Sequence, residues 1–229
     1  MANILNLSRQ NKLVPKDKID EYTIEVFGIG SVGSHVIKTL AKTGFTNIKA
    51  YDMDKVEEEN IAAQAFDFRH EGLQKTEAIK QIVKESCGFD INVFDGEIKE
   101  DTLINAEPKT IYCCFFDSFE GRKMVFNKLK DYPVIFIDGR IGMYDMRHYL
   151  IDCSDKEQIE SYEKTLATKA VSELVCGEKA SAPINIQIAG MIVMNIINYI
   201  TGADYEKAYI GNAKQRSMDI RIPVIREAK

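Results

Sequence analysis

The sequence has no tryptophan, only three histidines and five cysteines, and no excess of basic residues. No two cysteines form a C-x-x-C pair and the histidines are scattered, which argues against a zinc site. The formal net charge of −5 argues against broad nucleic-acid binding, which needs a basic face to neutralise phosphates. The odd cysteine count and the lack of a signal-peptide pattern near the N-terminus predict a reducing, cytoplasmic location.

Charge is also missing from the run 183–203, which has about the length of a short membrane span. Its four amide side chains would be costly in lipid. The run therefore predicts a helix of the core or of a subunit interface, and no membrane association. The four side chains are Asn185, Gln187, Asn195 and Asn198.

Strand and helix patterns alternate through most of the 229 residues. This alternation predicts an α/β fold with a Rossmann-like, doubly wound, mainly parallel sheet, and antiparallel strands toward the C-terminal part. The stretch MRHYLID is interpreted as an edge strand. No linker divides the chain, so residues 1–229 are expected to form a single domain with an N-terminal arm at 1–20. The polar, aperiodic segment 152–181 is expected to be a mobile crossover loop over the site.

A glycine-rich turn lies between the first predicted strand and the helix after it. Gly28, Gly30 and Gly33 form G-x-G-x-x-G, in which the backbone can approach a phosphate at a helix N-terminus. Asp52 ends the next strand, 19 residues after Gly33, where a carboxylate usually contacts ribose hydroxyls. The pattern predicts a nucleotide site, with a tight turn that binds nothing as the alternative. It does not separate NAD from ATP.

The residues that follow favour a polyphosphate. Asp54 completes D-x-D, and Asn60 and Gln64 are four apart, so one helical turn would place both on one face. Lys75 lies in the first turn of a helix that opens at Gly72, where a cation opposes the helix dipole at a cost of about 0.3–1 kcal/mol. A bound polyphosphate would offset that cost, whereas a nicotinamide would not. An ordinary surface lysine is the alternative.

Asp117 ends the apolar strand IYCCFFD. Ligands of an open α/β sheet lie beyond the carboxyl ends of the strands, so this carboxylate is well placed to hold Mg²⁺. It is equally suited to cap the helix that follows, and the two roles can coexist.

The ordered set of motifs resembles the ubiquitin-activating-type adenylyltransferases of the ThiF–MoeB–HesA group. The resemblance covers roughly residues 7–202 and is more specific than any single motif. The motifs are GIGSVG, DMD, NIAAQ, GLQK, FFD and CGEKASAPINIQIAGMIVMNIINYITG.

The resemblance implies that residues 1–229 form a ThiF-type adenylation domain, a homodimer that uses ATP and Mg²⁺. Its implied partner is a ubiquitin-like or sulfur-carrier protein with a C-terminal Gly-Gly, whose carboxylate is activated as an acyl-adenylate with release of pyrophosphate. It assigns Lys75 to the phosphates, Asp117 to Mg²⁺, Asp52 to ribose and Asn60 to the phosphate end. Asp54 and Gln64 belong to the same implied nucleotide site.

The sequence departs from the family pattern at Ala63, where the N-x-x-R-Q motif has arginine. Three arginines are candidates to replace its charge, although each is also compatible with a solvated surface position. Arg9 resembles the family's N-terminal arginine that reaches the partner subunit's ATP. Arg69 and Arg122 are the other two.

Cys176 precedes the apolar helix, where the family often carries a cysteine that receives the activated acyl group or sulfur. A plain loop cysteine is the alternative. The turn at 138–142, DGRIG, is interpreted as shaping the channel for the incoming carboxylate. Three functional alternatives stay open: an NAD-dependent oxidoreductase, a catalytically inactive subunit that acts as a scaffold, and a family member whose carboxylate belongs to a peptide, a small molecule or a tRNA base.

Overall fold

The computed structural model describes residues 5–142, 144–167, 181–212 and 217–219. Residues 217–219 are described by their backbone alone. The strands in these ranges are β1 Thr23–Phe27, β2 Ile48–Asp52, β3 Asn92–Asp95, β4 Thr110–Cys114, β5 Ile135–Gly142, β6 Asp145–Asp152, β7 Ala208–Asn212 and β8 Ser217–Asp219. The α-helices are α1 Lys16–Ile19, α2 Gly33–Thr43, α3 Glu58–Ile61, α4 Lys75–Cys87, α5 Phe119–Leu129, α6 Lys156–Ala167 and α7 Ala182–Thr201.

The eight strands form one sheet in the order β3-β2-β1-β4-β5-β6-β7-β8. The first five in this order pair in parallel, whereas the pairs β5–β6, β6–β7 and β7–β8 are antiparallel. The predicted doubly wound sheet with an antiparallel C-terminal part is therefore confirmed. The MRHYLID strand, β6, was predicted at an edge, and this is wrong, because β6 lies between β5 and β7. The strand order reverses between β1 and β4, where such sheets open a crevice for ligands.

Helices cover both faces of the sheet. The apolar sides of α2, α4 and α7 bury one face, and those of α5 and α6 bury the other. By length and composition α7 could cross a membrane, yet its inner face packs on α2 and on strands β5 and β6. This packing is what the prediction of a core helix requires.

The segment predicted to be a mobile loop, 152–181, is partly regular structure. β6 runs to Asp152, and α6 follows from Lys156. The loop prediction is wrong for this part because Tyr162 is the one fully buried residue of the polar helix α6, which therefore shows no apolar period in the sequence. Residues 168–180 lie outside the described ranges.

Candidate active site

The glycine-rich turn joins the end of β1 to the start of α2. Gly28 has a φ of +95°, which favours glycine. A Cβ on Gly33 would come within 1.9 Å of the Gly28 carbonyl oxygen, so the helix and the turn can meet only at glycine. A Cβ on Gly30 would meet nothing within 4 Å. The first and third glycines thus serve packing, while the second faces open space that a phosphate could enter.

Asp52, the last residue of β2, is bound to the glycine-rich turn. Its Oδ2 accepts a hydrogen bond from the Ile29 amide, and its Oδ1 accepts one from the Asp54 amide at 2.9 Å. Burial raises the pKa of Asp52, while these two amides oppose the rise. The carboxylate is therefore fixed in direction at the edge of the crevice, where its remaining lone pairs can accept hydrogen bonds from hydroxyl groups.

Lys75 is the first residue of α4 and is buried, with 7% of its surface exposed. Its Nζ donates to Asp54 Oδ2 at 2.8 Å, and its backbone amide donates to the Asp54 carbonyl at 2.9 Å. The Asp54 side chain is 55% exposed. The structure thus brings Asp52, Asp54 and Lys75 together as the sequence predicts, with the lysine paired to a carboxylate that solvent or a ligand can reach.

Asp117 follows β4 and is exposed. The residue that caps α5 is Ser118, whose Oγ accepts a hydrogen bond from the Gly121 amide at 3.1 Å. The interpretation of Asp117 as the cap is therefore wrong, because its neighbour performs that task. The Asp117 carboxylate is left facing the cleft rather than the helix.

An open cleft of about 520 Å³ lies at the carboxyl ends of β2, β3 and β4. Asp52, Asp54 and Asp117 all line it, so three side chains predicted from separate motifs share one cavity. Its other lining includes Met53, Ile98, Lys99, Phe116 and Met124. These apolar walls and the extra lysine were missed in the sequence, although their positions just beyond strand ends are the signal that could have found them.

Asn60 and Gln64 occupy one helical turn, as their spacing predicts, because the Gln64 amide donates to the Asn60 carbonyl at 2.8 Å. Asn60 is buried, and its Oδ1 accepts from the Glu57 amide in a capping box. Gln64 Oε1 is buried with no hydrogen-bond partner among the described residues. The Ala63 carbonyl lies within hydrogen-bond distance of His35 Nε2 and accepts from Asn185 Nδ2, so α2 and α7 fix the turn where the family arginine is missing.

The three candidate arginines lie elsewhere. Arg69 is exposed and paired with Asp67 and Glu85. Arg122 is buried against Asp138, so neither arginine lines the cleft, and Asp138 is itself fully buried. Residues 138–142, interpreted as a turn that shapes a channel, are part of strand β5 instead. The channel-wall interpretation is also wrong for Asp138, whose carboxylate is enclosed by charged partners.

Arg9 lies near the opposite end of α2 from the glycine-rich turn. Its neighbour Gln10 donates from Nε2 to the Lys42 carbonyl at 3.1 Å, close to the last residue of α2. At 1.5 Å per residue, an 11-residue helix separates its two ends by about 16 Å. Like Arg69 and Arg122, Arg9 is absent from the lining of the cleft.

The described cysteines are Cys87, Cys113, Cys114 and Cys153, and all four are buried free thiols. Burial raises the pKa of Cys114 to about 11 and shifts that of Cys113 in the same direction. Neither is a thiolate at neutral pH, so neither is suited to nucleophilic chemistry. Cys176 lies outside the described residues.

Among the described residues, no group of three or more His, Cys, Asp or Glu side chains could hold a metal ion unaided. Mg²⁺ does not need such a group, because it commonly binds through one or two carboxylates together with substrate phosphates. The exposed Asp117 carboxylate shares its cleft with Asp52 and Asp54, so the donor set fits a magnesium ion carried by a polyphosphate.

The ThiF family profile matches residues 4–229. The chain belongs to the ThiF family. It is 22% identical over 241 residues to ubiquitin-like modifier-activating enzyme 5 of Xenopus laevis, and the alignment covers 93% of this chain and 59% of that protein. It is 32% identical over 114 residues to the NEDD8-activating enzyme E1 catalytic subunit of Arabidopsis thaliana, covering 48% of this chain and 25% of that subunit.

Solved structures show the same fold. E. coli MccB with AMPCPP and MccA superposes with a TM-score of 0.72 at 20% identity, over 91% of this ThiF-family chain and 67% of MccB. PaaA superposes with a TM-score of 0.72 at 17% identity, over 93% of this chain and 67% of PaaA. Since the ThiF-family chain spans less than 60% of the activating enzyme 5 relatives, the similarity alone does not carry their activity over.

Proposed function

We propose that this ThiF-family protein is an ATP-dependent adenylyltransferase that activates a C-terminal carboxylate. The single observation that carries the proposal is that Asp52, Asp54 and Asp117 share one cleft at the switch point of the sheet, with Lys75 hydrogen-bonded to Asp54. A nicotinamide site does not require a lysine at the start of α4. A triphosphate does, because its negative charge must be neutralised as pyrophosphate leaves.

In the proposed reaction, a carboxylate oxygen attacks the α-phosphorus of ATP. The bond from that phosphorus to the bridging oxygen breaks, and the electron pair leaves with pyrophosphate, which gives an acyl-adenylate. Lys75 would exchange its bond to Asp54 for a bond to phosphate, which needs little reorganisation because Asp54 is exposed. Asp52 would orient the nucleotide through ribose hydroxyls. Asp117 would hold Mg²⁺, whose chemistry in this position is charge neutralisation of the phosphates.

The proposed substrate is the C-terminus of a small ubiquitin-like or sulfur-carrier protein that ends in Gly-Gly. The activating enzymes of ubiquitin-like modifiers among its relatives support a protein acceptor, and MccB, solved together with MccA, supports a peptide acceptor as the competing choice. The four buried free thiols are compatible with the proposed cytoplasmic location.

We infer that the protein works as a homodimer. Ile186, Gly190 and Met194 lie exposed along one uncharged face of α7, which suits a second copy better than solvent. The arm that carries Arg9 continues into α1, which packs against α7. Arg9 is absent from the lining of the cleft, and in the proposed dimer it would act in the cleft of the partner.

Pyrophosphate exchange into ATP tests the activity, with small proteins ending in Gly-Gly as candidate acceptors. Lys75→Ala and Asp117→Ala should each slow exchange by orders of magnitude. Lys84→Ala is the matched control, because it removes an exposed lysine from the far end of the same helix. Exchange that persists in both site variants would show that the residues are wrongly assigned.

Other outcomes identify the alternatives. Binding of a reduced nicotinamide that survives Lys75→Ala would indicate an oxidoreductase. ATP binding without exchange for any acceptor would indicate a scaffold subunit. Mixing Arg9→Ala protomers with Lys75→Ala protomers should restore part of the activity if the arginine acts across the dimer, and a lack of restoration would contradict that role.

A further inference from the structure

A cluster of charged side chains is buried behind the cleft, on the face of the sheet covered by α5 and α6. Asp138 on β5 is fully buried and accepts hydrogen bonds from Arg122, from Arg140 Nε at 2.6 Å and from the Tyr162 hydroxyl at 2.8 Å. We call these four residues the Asp138 cluster. Because arginine does not deprotonate in proteins, two positive charges share one carboxylate.

Arg122 connects the Asp138 cluster to the cleft. It lies in the first turns of α5, and its Nη1 donates both to Asp138 and to the Gly139 carbonyl at 3.0 Å. Its backbone amide donates to the Ser118 carbonyl at 3.3 Å. Asp117 immediately precedes Ser118, so the arginine that is anchored on β5 lies five positions along the chain from the residue assigned to Mg²⁺.

The turn between Asp117 and Arg122 is tightly built. Ser118 caps it through the Gly121 amide, and a Cβ on Gly121 would come within 2.9 Å of the Phe116 ring and of Ser118 Oγ. Asp117 itself is exposed, and the backbone of this turn sets the position from which its side chain extends. Any rotation of the start of α5 would therefore move the Asp117 carboxylate within the cleft.

Stability alone is a weak reason for this arrangement. A buried ion pair is often no more stabilising than apolar side chains of similar size. The two hydrogen bonds of Arg122 Nη1, to Asp138 and to the Gly139 carbonyl, do restrict the guanidinium to one orientation. Residues that orient a metal ligand typically change metal affinity 10–100-fold when they are altered.

We propose that Asp138 is a positioning residue for the divalent metal, acting through Arg122, which fixes the first turn of α5 and so directs Asp117 into the cleft. The inference rests on the proposed function, because it takes Asp117 as the metal ligand. Arg140 extends the same cluster to α6, where its Nη2 donates to Thr165 Oγ1 at 3.0 Å.

The test is Mn²⁺ binding by the full chain with AMPCPP, followed by electron paramagnetic resonance, so that no turnover is needed. Asp138→Asn and Arg122→Lys should weaken Mn²⁺ binding about 10–100-fold. Binding of AMPCPP in excess EDTA should change less than about twofold, because Asp52 and Lys75 remain in place. Arg122→Lys keeps the buried charge, so it serves if Asp138→Asn does not fold.

Tyr162→Phe is the matched control, since it removes one donor to Asp138 from α6 and leaves Arg122 in place. It should lower the melting temperature without changing Mn²⁺ affinity. If Asp117→Ala weakens Mn²⁺ binding and folded Arg122→Lys does not, the positioning role is overturned while the proposed function stands. If the wild type shows no Mn²⁺-dependent binding, both proposals are overturned.

Discussion

Two ion pairs of the protein differ in the burial of the aspartate. Lys75 pairs with Asp54, whose side chain is 55% exposed, whereas Arg122 pairs with Asp138, which is 0% exposed. A ligand can replace the first carboxylate as the partner of the cation, since water already reaches it. It cannot replace the second. Under the two proposals, Lys75 is therefore the cation that takes a ligand, and Arg122 is the one that holds the backbone in place.

The largest expected effect on stability comes from breaking the buried Arg122–Asp138 pair. Asp138→Ala leaves two guanidinium groups without their carboxylate, and loss of one partner of a buried pair costs about 3–5 kcal/mol. The free energy of unfolding should fall by that amount in urea or guanidinium titrations. Asp54→Ala is the matched comparison and should cost less than Asp138→Ala, because water that reaches the exposed Asp54 side can solvate the ammonium of Lys75. Equal losses would show that burial does not distinguish the pairs.

The second prediction concerns the reaction rate, for which the Lys75–Asp54 pair should matter more than it does for stability. Lys75→Ala should lower the rate of pyrophosphate exchange about 10²–10³-fold, the usual effect of removing one preorganised charge-stabilising group. Its free energy of unfolding should stay close to that of Lys84→Ala. Circular dichroism under the assay conditions checks the fold. An unchanged exchange rate in Lys75→Ala would contradict the proposal that Lys75 leaves Asp54 to bind a phosphate.

The same contrast explains how much the sequence could predict. The residues of the candidate site follow local patterns: Gly28, Asp52 and Lys75 each stand at the end of a strand or the start of a helix. Strand ends of a parallel sheet meet at one edge, so their convergence follows from topology. The fold class was predictable for the same reason.

The Asp138 cluster was not predictable in this way. Arg122 and Asp138 meet through packing across 16 positions of sequence, and neither belongs to a periodic pattern that names its partner. Nor does the sequence show that Ser118 rather than Asp117 caps α5, because both residue types are good caps. Helix α6 was missed since its buried side is almost entirely Tyr162.

His148 extends the comparison to a buried polar group without a charged partner. It is 1% exposed on β6, within 3.2 Å of Asn195 Nδ2 and stacked on Tyr209, and its Nδ1 has no partner among the described residues. Burial lowers its pKa from 6.5 to about 4. The unfolded chain therefore binds this proton first as the pH falls.

The stabilisation from neutral His148 is complete above pH 6.5 and is lost as the pH falls toward 4. Between pH 7 and pH 5 its loss should lower the free energy of unfolding by about 2 kcal/mol. His148→Gln should remove this part of the pH dependence in parallel denaturant titrations at the two pH values. An unchanged slope in the variant would mean that other groups dominate acid destabilisation.

The smallest expected change in stability lies within the glycine-rich turn. A Cβ on Gly30 meets nothing within 4 Å, and Gly30 has no positive φ. Gly30→Ala should therefore raise the free energy of unfolding by at most about 0.4–1 kcal/mol. The added methyl group would occupy the open space proposed for phosphate, and ATP affinity should fall on the order of tenfold, equivalent to about 1.4 kcal/mol. Gly33→Ala is the contrast, because its methyl group would collide with the Gly28 carbonyl and destabilise the fold itself. If Gly30→Ala binds ATP as well as the wild type does, the phosphates lie elsewhere. A methyl group that weakens ATP binding without disturbing packing identifies a binding position, whereas one that disturbs packing identifies a structural position.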